Sequence, residues 1–274
     1  MEINLSIDPE LVRKILVKFI RSEITRAGFS RAVINLSGGI DSAVSFVLAA
    51  EALGPQNVLA IRLPYKSSSA NSLEHAQVLI DLFGGPSVTI SITEMTDPLI
   101  ALEPGMSEIR KGNIMARARM IVAYDQSEAF KGLVVGTGNK TEILLGYTTL
   151  FGDSACAINP IGDLYKTQVR QLARALGIPE IIISKPPSAD LWAGQTDEGE
   201  LGYSYEEVDK LLYLLIDQRY RPEECIETGF DERFVHHVFE RIRKYQFKRV
   251  SPPIAKLSNR TVGYDFLYLR DWGT

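Results

Sequence analysis

Residues 31–50, "RAVINLSGGIDSAVSFVLAA", run from an apolar β-rich segment into an apolar helix-length segment through two glycines, two serines and an aspartate. The strand is expected to end at Leu36 and the helix to begin near Asp41, so Gly38 and Gly39 occupy a strand-to-helix turn. Glycines there remove side chains where the backbone bends sharply or approaches a ligand, and Ser37 and Ser42 add hydroxyl donors. The helix start aims unpaired N–H groups and the positive end of its dipole into the turn, which suits an anion. Asp41 would repel that anion unless a divalent cation lay between them, an arrangement typical of polyphosphate sites. A Ser/Asp helix cap with glycines for packing is the other reading of the same residues.

Outward from this turn the chain alternates β-rich and helical segments. β-rich runs stand at 31–36, 57–64, 87–92 and 132–138, with helix-length periodic segments at about 41–53, 70–84 and 107–130 between them. A first helix is expected from Asp8 as N-cap and Pro9 at its first position to Gly28, with Leu11, Val12, Ile15, Leu16, Phe19, Ile20 and Ile24 on one face. Later helices are expected near 166–176, 204–217 and 231–246. This order predicts an α/β fold, a doubly wound Rossmann-like parallel sheet with helices on both faces, in one domain over 1–274.

Thirty Lys+Arg against 34 Asp+Glu give a net charge of −4, so no general attraction to nucleic acid is expected. The N-terminus lacks a basic, apolar leader, and no run reaches the ~18 apolar residues needed to span a bilayer. A cytoplasmic protein is expected, with no membrane partner. Cys156 and Cys225 stand far apart with no Cys/His cluster, which predicts two reduced, buried thiols and no zinc site. The three histidines, His75, His236 and His237, form no catalytic arrangement and read as surface or helix-packing residues.

"SGGIDS" lacks both GxxxxGK[ST] and GxGxxG. It resembles the pyrophosphatase loop of the N-type ATP pyrophosphatases. Four further segments, "RKGNIMARARM" (110–120), "GTGNKTEILLGY" (136–147), "PIGDLYKTQVRQLARALGIP" (160–179) and "KPPSADLWAGQTDEGELGYSYEEVD" (185–209), resemble those of ammonia-dependent NAD synthetase within that superfamily. The resemblance spans almost the whole chain. It implies adenylation of deamido-NAD by ATP, displacement of AMP by ammonia, a homodimer, and no fused glutaminase domain, so that glutamine would serve only through a separate glutaminase. Amidation of nicotinate mononucleotide, or non-catalytic adenine-nucleotide binding on the same fold, are the alternatives.

By the same resemblance, Ser37, Gly38, Gly39, Ile40, Asp41, Ser42, Thr137, Lys166 and Ser188 would contact ATP, and Asp41 and Glu142 would hold Mg2+. Asp41 and Lys166 would be catalytic. Arg117 and Lys248 would contact deamido-NAD. Each has a plain reading as well: Glu142 as a helix-start dipole partner, Lys166 as a surface lysine, Arg117 in a solvated cluster with Arg110, Lys111 and Arg119. Asp197, Glu198 and Glu200 in the loop resembling a phosphate cover would hold a second magnesium or keep an open lid soluble. The chain departs from the family pattern at Leu150, Ala157 and Phe247, where lysine, aspartate and histidine are common, and at Asn35, where glycine is usual.

Overall fold

The computed structural model describes residues 3–188, 196–263 and 265. α1 (Pro9–Arg26) begins where expected: the Asp8 carboxylate accepts from the Glu10 and Leu11 N–H groups, with Pro9 following. Gly28, at φ +82°, takes the left-handed turn after it. Its apolar residues do not share one buried face, however. Val12, Leu16, Ile20 and Ile24 pack on the core, whereas Leu11, Ile15 and Phe19 are exposed. Each set repeats every four residues, giving two adjacent stripes of which only the first reaches the core.

The chain continues through β1 (Ala32–Asn35), α2 (Ile40–Leu53), β2 (Val58–Arg62), α3 (Ala70–Phe83), β3 (Ser87–Thr89), α4 (Thr93–Ala101), α5 (Glu108–Phe130) and β4 (Leu133–Val134). The strands form one parallel sheet in the order β3-β2-β1-β4, with Ala32 opposite both Val58 and Leu133. Successive side chains point to opposite faces. Ala32, Ile34, Val58 and Ala60 join α1, α2 and α7 (Lys166–Ala175, after α6, Lys140–Leu145) in one core layer. Val33, Leu59, Ile61 and Val134 meet Met115, Ala118 and Val122 of α5 in the other. Both faces are covered, as a parallel sheet requires.

α8 (Glu180–Ile183), α9 (Asp197–Leu201), α10 (Tyr205–Leu212), α11 (Pro222–Glu227) and α12 (Glu232–Lys244) complete the described helices of four or more residues, apart from a π turn at Tyr213–Asp217. α10 to α12 build a further apolar cluster around Val208, Leu211, Leu212, Val235 and Val238, which takes in Leu145 of α6 and Tyr165 before α7. The segment expected as one helix over 204–217 is helical from Tyr205 to Asp217, with the π turn as its last turn. The strand expected over 132–138 keeps two ladder residues; Val135 still donates to Val33 O and forms a parallel bridge with Ile158. β3 is shorter than 87–92, although Ile90 and Ile92 still donate to Arg62 O and Pro64 O. Both cysteines are free; Cys225 is buried as expected, but Cys156 is only half-buried. Among the described residues no helix is long and apolar enough to cross a membrane.

Candidate active site

The carboxyl ends of β1, β2 and β4 open into a cavity of about 860 Å³, where open parallel sheets place their ligands. Its geometry starts from α2, which is buried almost throughout and so fixes its own N-terminus. Gly39 is the N-cap and supplies no side-chain cap, which leaves the first-turn N–H groups open to an anion. The loop is tied to itself: the Ser42 hydroxyl donates to Gly39 O at 2.9 Å and accepts from Ser37 N at 3.2 Å, and the two serine hydroxyls lie 3.0 Å apart. The serines, expected as ligand donors, here hold the turn in shape.

Lys166, at the start of α7, is not a surface lysine. It is 2% exposed, and its Nζ donates to Asp41 Oδ2 at 2.5 Å and Glu142 Oε1 at 3.2 Å. Burial alone would depress the ammonium, but the carboxylates of Asp41, Glu142 and Asp197 hold it above its ordinary value. Glu142 is pushed up to about 8, chiefly by burial, against the pull of Lys166 and with the charges of Asp41 and Asp197 adding to the rise. The Tyr205 ring lies 5.0 Å from the ammonium, and its hydroxyl donates to Asp197 at 3.1 Å.

Asn139 and Asp209 position these groups, and neither was singled out from the sequence. Asn139 caps α6 in a reciprocal box with Glu142 and also donates its Nδ2 to Asp41 Oδ1 at 2.9 Å. The N-x-x-E spacing at 139–142 is a signal that could have found it. Asp209 is fully buried and accepts from Thr141 Oγ1 at 2.5 Å and Thr167 N at 2.8 Å, while Lys166 N donates to Thr141 Oγ1. That network fastens the first turn of α7 to α6 and α10; no local signal joins residues 141, 167 and 209. Asn35, at the end of β1, also lines the cavity, with its Oδ1 buried and unpartnered among the described residues.

Ser37, Gly39, Ile40, Asp41, Ser42, Thr137, Glu142, Lys166, Ser188 and Lys248 all line the same cavity. Gly38 lies against α3 instead, where an added Cβ would meet Ser72 O at 2.1 Å. Arg117 is exposed and donates to Leu150 O at 3.2–3.3 Å; it does not line the cavity, whereas Arg119 does, donating to Leu63 O. Arg110 pairs with Glu103 and Lys111 with Glu108, so the basic cluster disperses. Lys248 donates to Gly146 O and Thr148 O. Phe247 and Ala157 are exposed and Leu150 half-buried. Of the acidic trio, Asp197 faces Lys166, while Glu198 accepts from Tyr205 N and Glu200 from the Tyr147 hydroxyl. Residues 189–195 of the expected covering loop lie outside the described residues.

Comparisons with known proteins place this arrangement. The NH(3)-dependent NAD(+) synthetase of Chlorobaculum tepidum is 53% identical over 269 residues, covering 98% of this chain and 97% of that protein. The protein of the same name from Fusobacterium nucleatum is 48% identical, over 93% and 98% of the two chains. Among solved structures, the NMN synthetase of Francisella tularensis superposes with a TM-score of 0.80 at 31% identity, over 93% of this chain and all of that one. The NH3-dependent NAD synthetase of Campylobacter jejuni does so with a TM-score of 0.79 at 32% identity, over 92% and 100%. Residues 12–252 match the NAD synthase family, and with the cavity, the uncapped turn and the Asp41–Lys166–Glu142 cluster all inside that span, the chain belongs to it.

Proposed function

We propose that this protein is an ammonia-dependent NAD synthetase, a C–N ligase that converts the nicotinate carboxylate of deamido-NAD to an amide and releases AMP and pyrophosphate from ATP. The observation that carries the reading is the buried Lys166 ammonium, gripped by Asp41 and Glu142 beside the uncapped start of α2. A carboxylate oxygen of the acceptor attacks the α-phosphorus, and the bond to pyrophosphate breaks. The lone pair of ammonia then attacks the acyl carbon, AMP departs, and a proton is lost to solvent. No protein nucleophile is needed. The first-turn N–H groups of α2 hold phosphate oxygens, and Lys166 offsets the charge growing on pyrophosphate as it leaves.

Asp41 and Glu142 present hard oxygen donors on one wall, and among the described residues no group of three or more His, Cys, Asp or Glu could hold a metal. That donor set fits Mg2+, which takes one or two carboxylates and fills its shell with phosphate and water. Asp41 and Glu142 would hold the ion, which when bound supplies neutralisation of phosphate charge. Asp41→Asn and Glu142→Gln are each expected to lower turnover by roughly 10²-fold, with the circular dichroism of the folded protein retained. Near-normal turnover in both variants would remove the metal assignment.

Relatives named for ammonia favour it as the nitrogen source, and those named for NAD favour the dinucleotide acceptor. The NMN synthetase with the same fold shows that fold alone does not choose the acceptor. The test is pyrophosphate release with ATP, Mg2+ and ammonium chloride, comparing kcat/KM for deamido-NAD and nicotinate mononucleotide. Deamido-NAD is expected to be preferred, with glutamine inert in ammonia-free buffer unless a separate glutaminase is added. Preference for the mononucleotide, or turnover with glutamine alone, would overturn the respective half. A homodimer belongs to the same reading; sedimentation is expected to give twice the chain mass, and a monomer at working concentration would refute it.

A further inference from the structure

The cavity extends to the end of α12, where Arg241, Tyr245 and Lys248 line its wall. Residues 241 and 245 are one helical turn apart, which lays the guanidinium 5.2 Å from the Tyr245 ring centroid. Lys248 approaches the same ring at 4.8 Å. The tyrosine is held from behind by Gly146, where an added Cβ would come within 2.3 Å of the Tyr245 Cβ. Two cations and an aromatic ring thus form a fixed platform.

No direct ion pair neutralises the platform. Lys166 has Asp41 and Glu142, but among the described residues neither Arg241 nor Lys248 has an ion-pair partner. Burial holds the Lys248 ammonium below its ordinary value, with Asp153 opposing and Arg241 and Arg117 adding to the depression. The Lys248 Nζ donates to Gly146 O at 2.8 Å and Thr148 O at 2.5 Å. Arg241 donates its Nε to Leu145 O at 3.0 Å. A guanidinium carries five donors, and the Nη groups of Arg241 meet no acceptor among the described residues.

We propose that Arg241, braced over Tyr245, binds a phosphate of the acceptor dinucleotide. The inference rests on the function proposed above. Arg241 is fastened to the last residue of α6, whereas Glu142 stands in its first turn beside Lys166. The reacting carboxylate has to lie at the Lys166 end, so the anion reaching Arg241 is a remote one, and the guanidinium fork matches phosphate oxygens. Binding energy from that remote group would hold the carboxylate in line with ATP.

A purely structural role is the competing account. Arg241, Lys248 and Arg249 donate to Leu145 O, Gly146 O and Leu144 O, a set of cations on the C-terminal carbonyls of α6. Loss of such a cap would shift α6 and with it Glu142, disturbing ATP as much as the acceptor. Steady-state kinetics of Arg241→Met separates the two. The KM for deamido-NAD is expected to rise about tenfold or more, with that for ATP within about twofold of the unmodified protein. Parallel rises in both constants, or an unchanged deamido-NAD KM, would overturn the proposal. Arg241→Lys keeps a charge for the Leu145 carbonyl without the fork, so it covers the case in which methionine prevents folding. Its deamido-NAD KM is still expected to rise severalfold, and an unchanged value overturns the proposal equally. Should the unmodified protein release no pyrophosphate with deamido-NAD, the functional reading fails instead, before any variant is measured.

Discussion

Lys166→Met is expected to lower pyrophosphate release by roughly 10²–10³-fold and, independently, to destabilise the ligand-free protein by about 3–5 kcal/mol. The second effect follows from the geometry without reference to catalysis. Lys166 is the cation that Asp41 and Glu142 share, and Asp197 adds further negative charge beside it. Methionine fills similar space but leaves those carboxylates uncompensated. Glu142 already sits at about 8 in the folded protein, above its ordinary carboxyl value, because burial disfavours its charged form. A carboxyl whose folded pKa is raised contributes stability below its unfolded pKa, and that contribution is lost as pH rises through the folded one. Without the ammonium the rise is larger, so the deficit of Lys166→Met is expected to be smallest near pH 5 and to grow toward pH 9. Adding Glu142→Gln should return part of the lost stability, while turnover stays lost. Urea unfolding of both variants at the two pH values checks this. Equal stability of Lys166→Met and the unmodified protein at pH 9 would mean that the cluster is not electrostatically coupled in solution.

The parallel sheet was legible because its strands are short, β-rich and separated by long periodic helices; β1 and α2 lie within a residue or two of their expected ends. The short helices were not. α6 has six residues, too few to display a period, yet it carries Glu142 and is capped by Asn139. The exposed stripe Leu11–Ile15–Phe19 looked like core because periodicity reports a spacing of apolar residues and not what covers them. In the site, glycine, serine and aspartate before an apolar helix read locally as a turn that suits an anion or as a plain helix cap, and only the resemblance chose between them. Lys166 was legible only through resemblance: a lysine at a helix start carries no local sign of being buried. Asp209 was invisible, because its worth arises from a contact with residues 141 and 167 that only the folded chain makes. The basic segment misled in a different way. Four cations lie within ten residues of α5, but helical geometry sends Arg110 and Lys111 to neighbouring glutamates, Arg117 to Leu150 O, and Arg119 to the cavity wall.

Gly38→Ala is expected to damage the protein far more than Gly39→Ala, although the two glycines are adjacent in the same turn. Gly38 has φ +77°, a left-handed conformation that costs an alanine about 1–2 kcal/mol. Its Cβ would also fall 2.1 Å from Ser72 O, 3.0 Å from Ser72 C and 3.2 Å from His75 Cβ. The nearest atom is a backbone carbonyl of α3, which cannot swing aside as a flexible side chain could. Overpacking of this kind adds about 1–3 kcal/mol. The loop can escape the clash only by lifting off α3, and that would carry Ser37 and Asp41 away from Lys166. Gly39 has φ −91°, and its added Cβ would make only an ordinary contact with Ser37 Oγ at 3.4 Å. Its methyl group would nevertheless project at the N-cap of α2, where the phosphate is to approach. Gly38→Ala should therefore lose about 2–5 kcal/mol in urea unfolding together with most of its turnover. Gly39→Ala should keep its stability within about 0.5 kcal/mol and show its defect as a raised KM for ATP. A Gly38→Ala variant as stable as the parent would show that the turn does not rest on α3 in solution, and a Gly39→Ala variant with an unchanged KM for ATP would place the phosphates elsewhere.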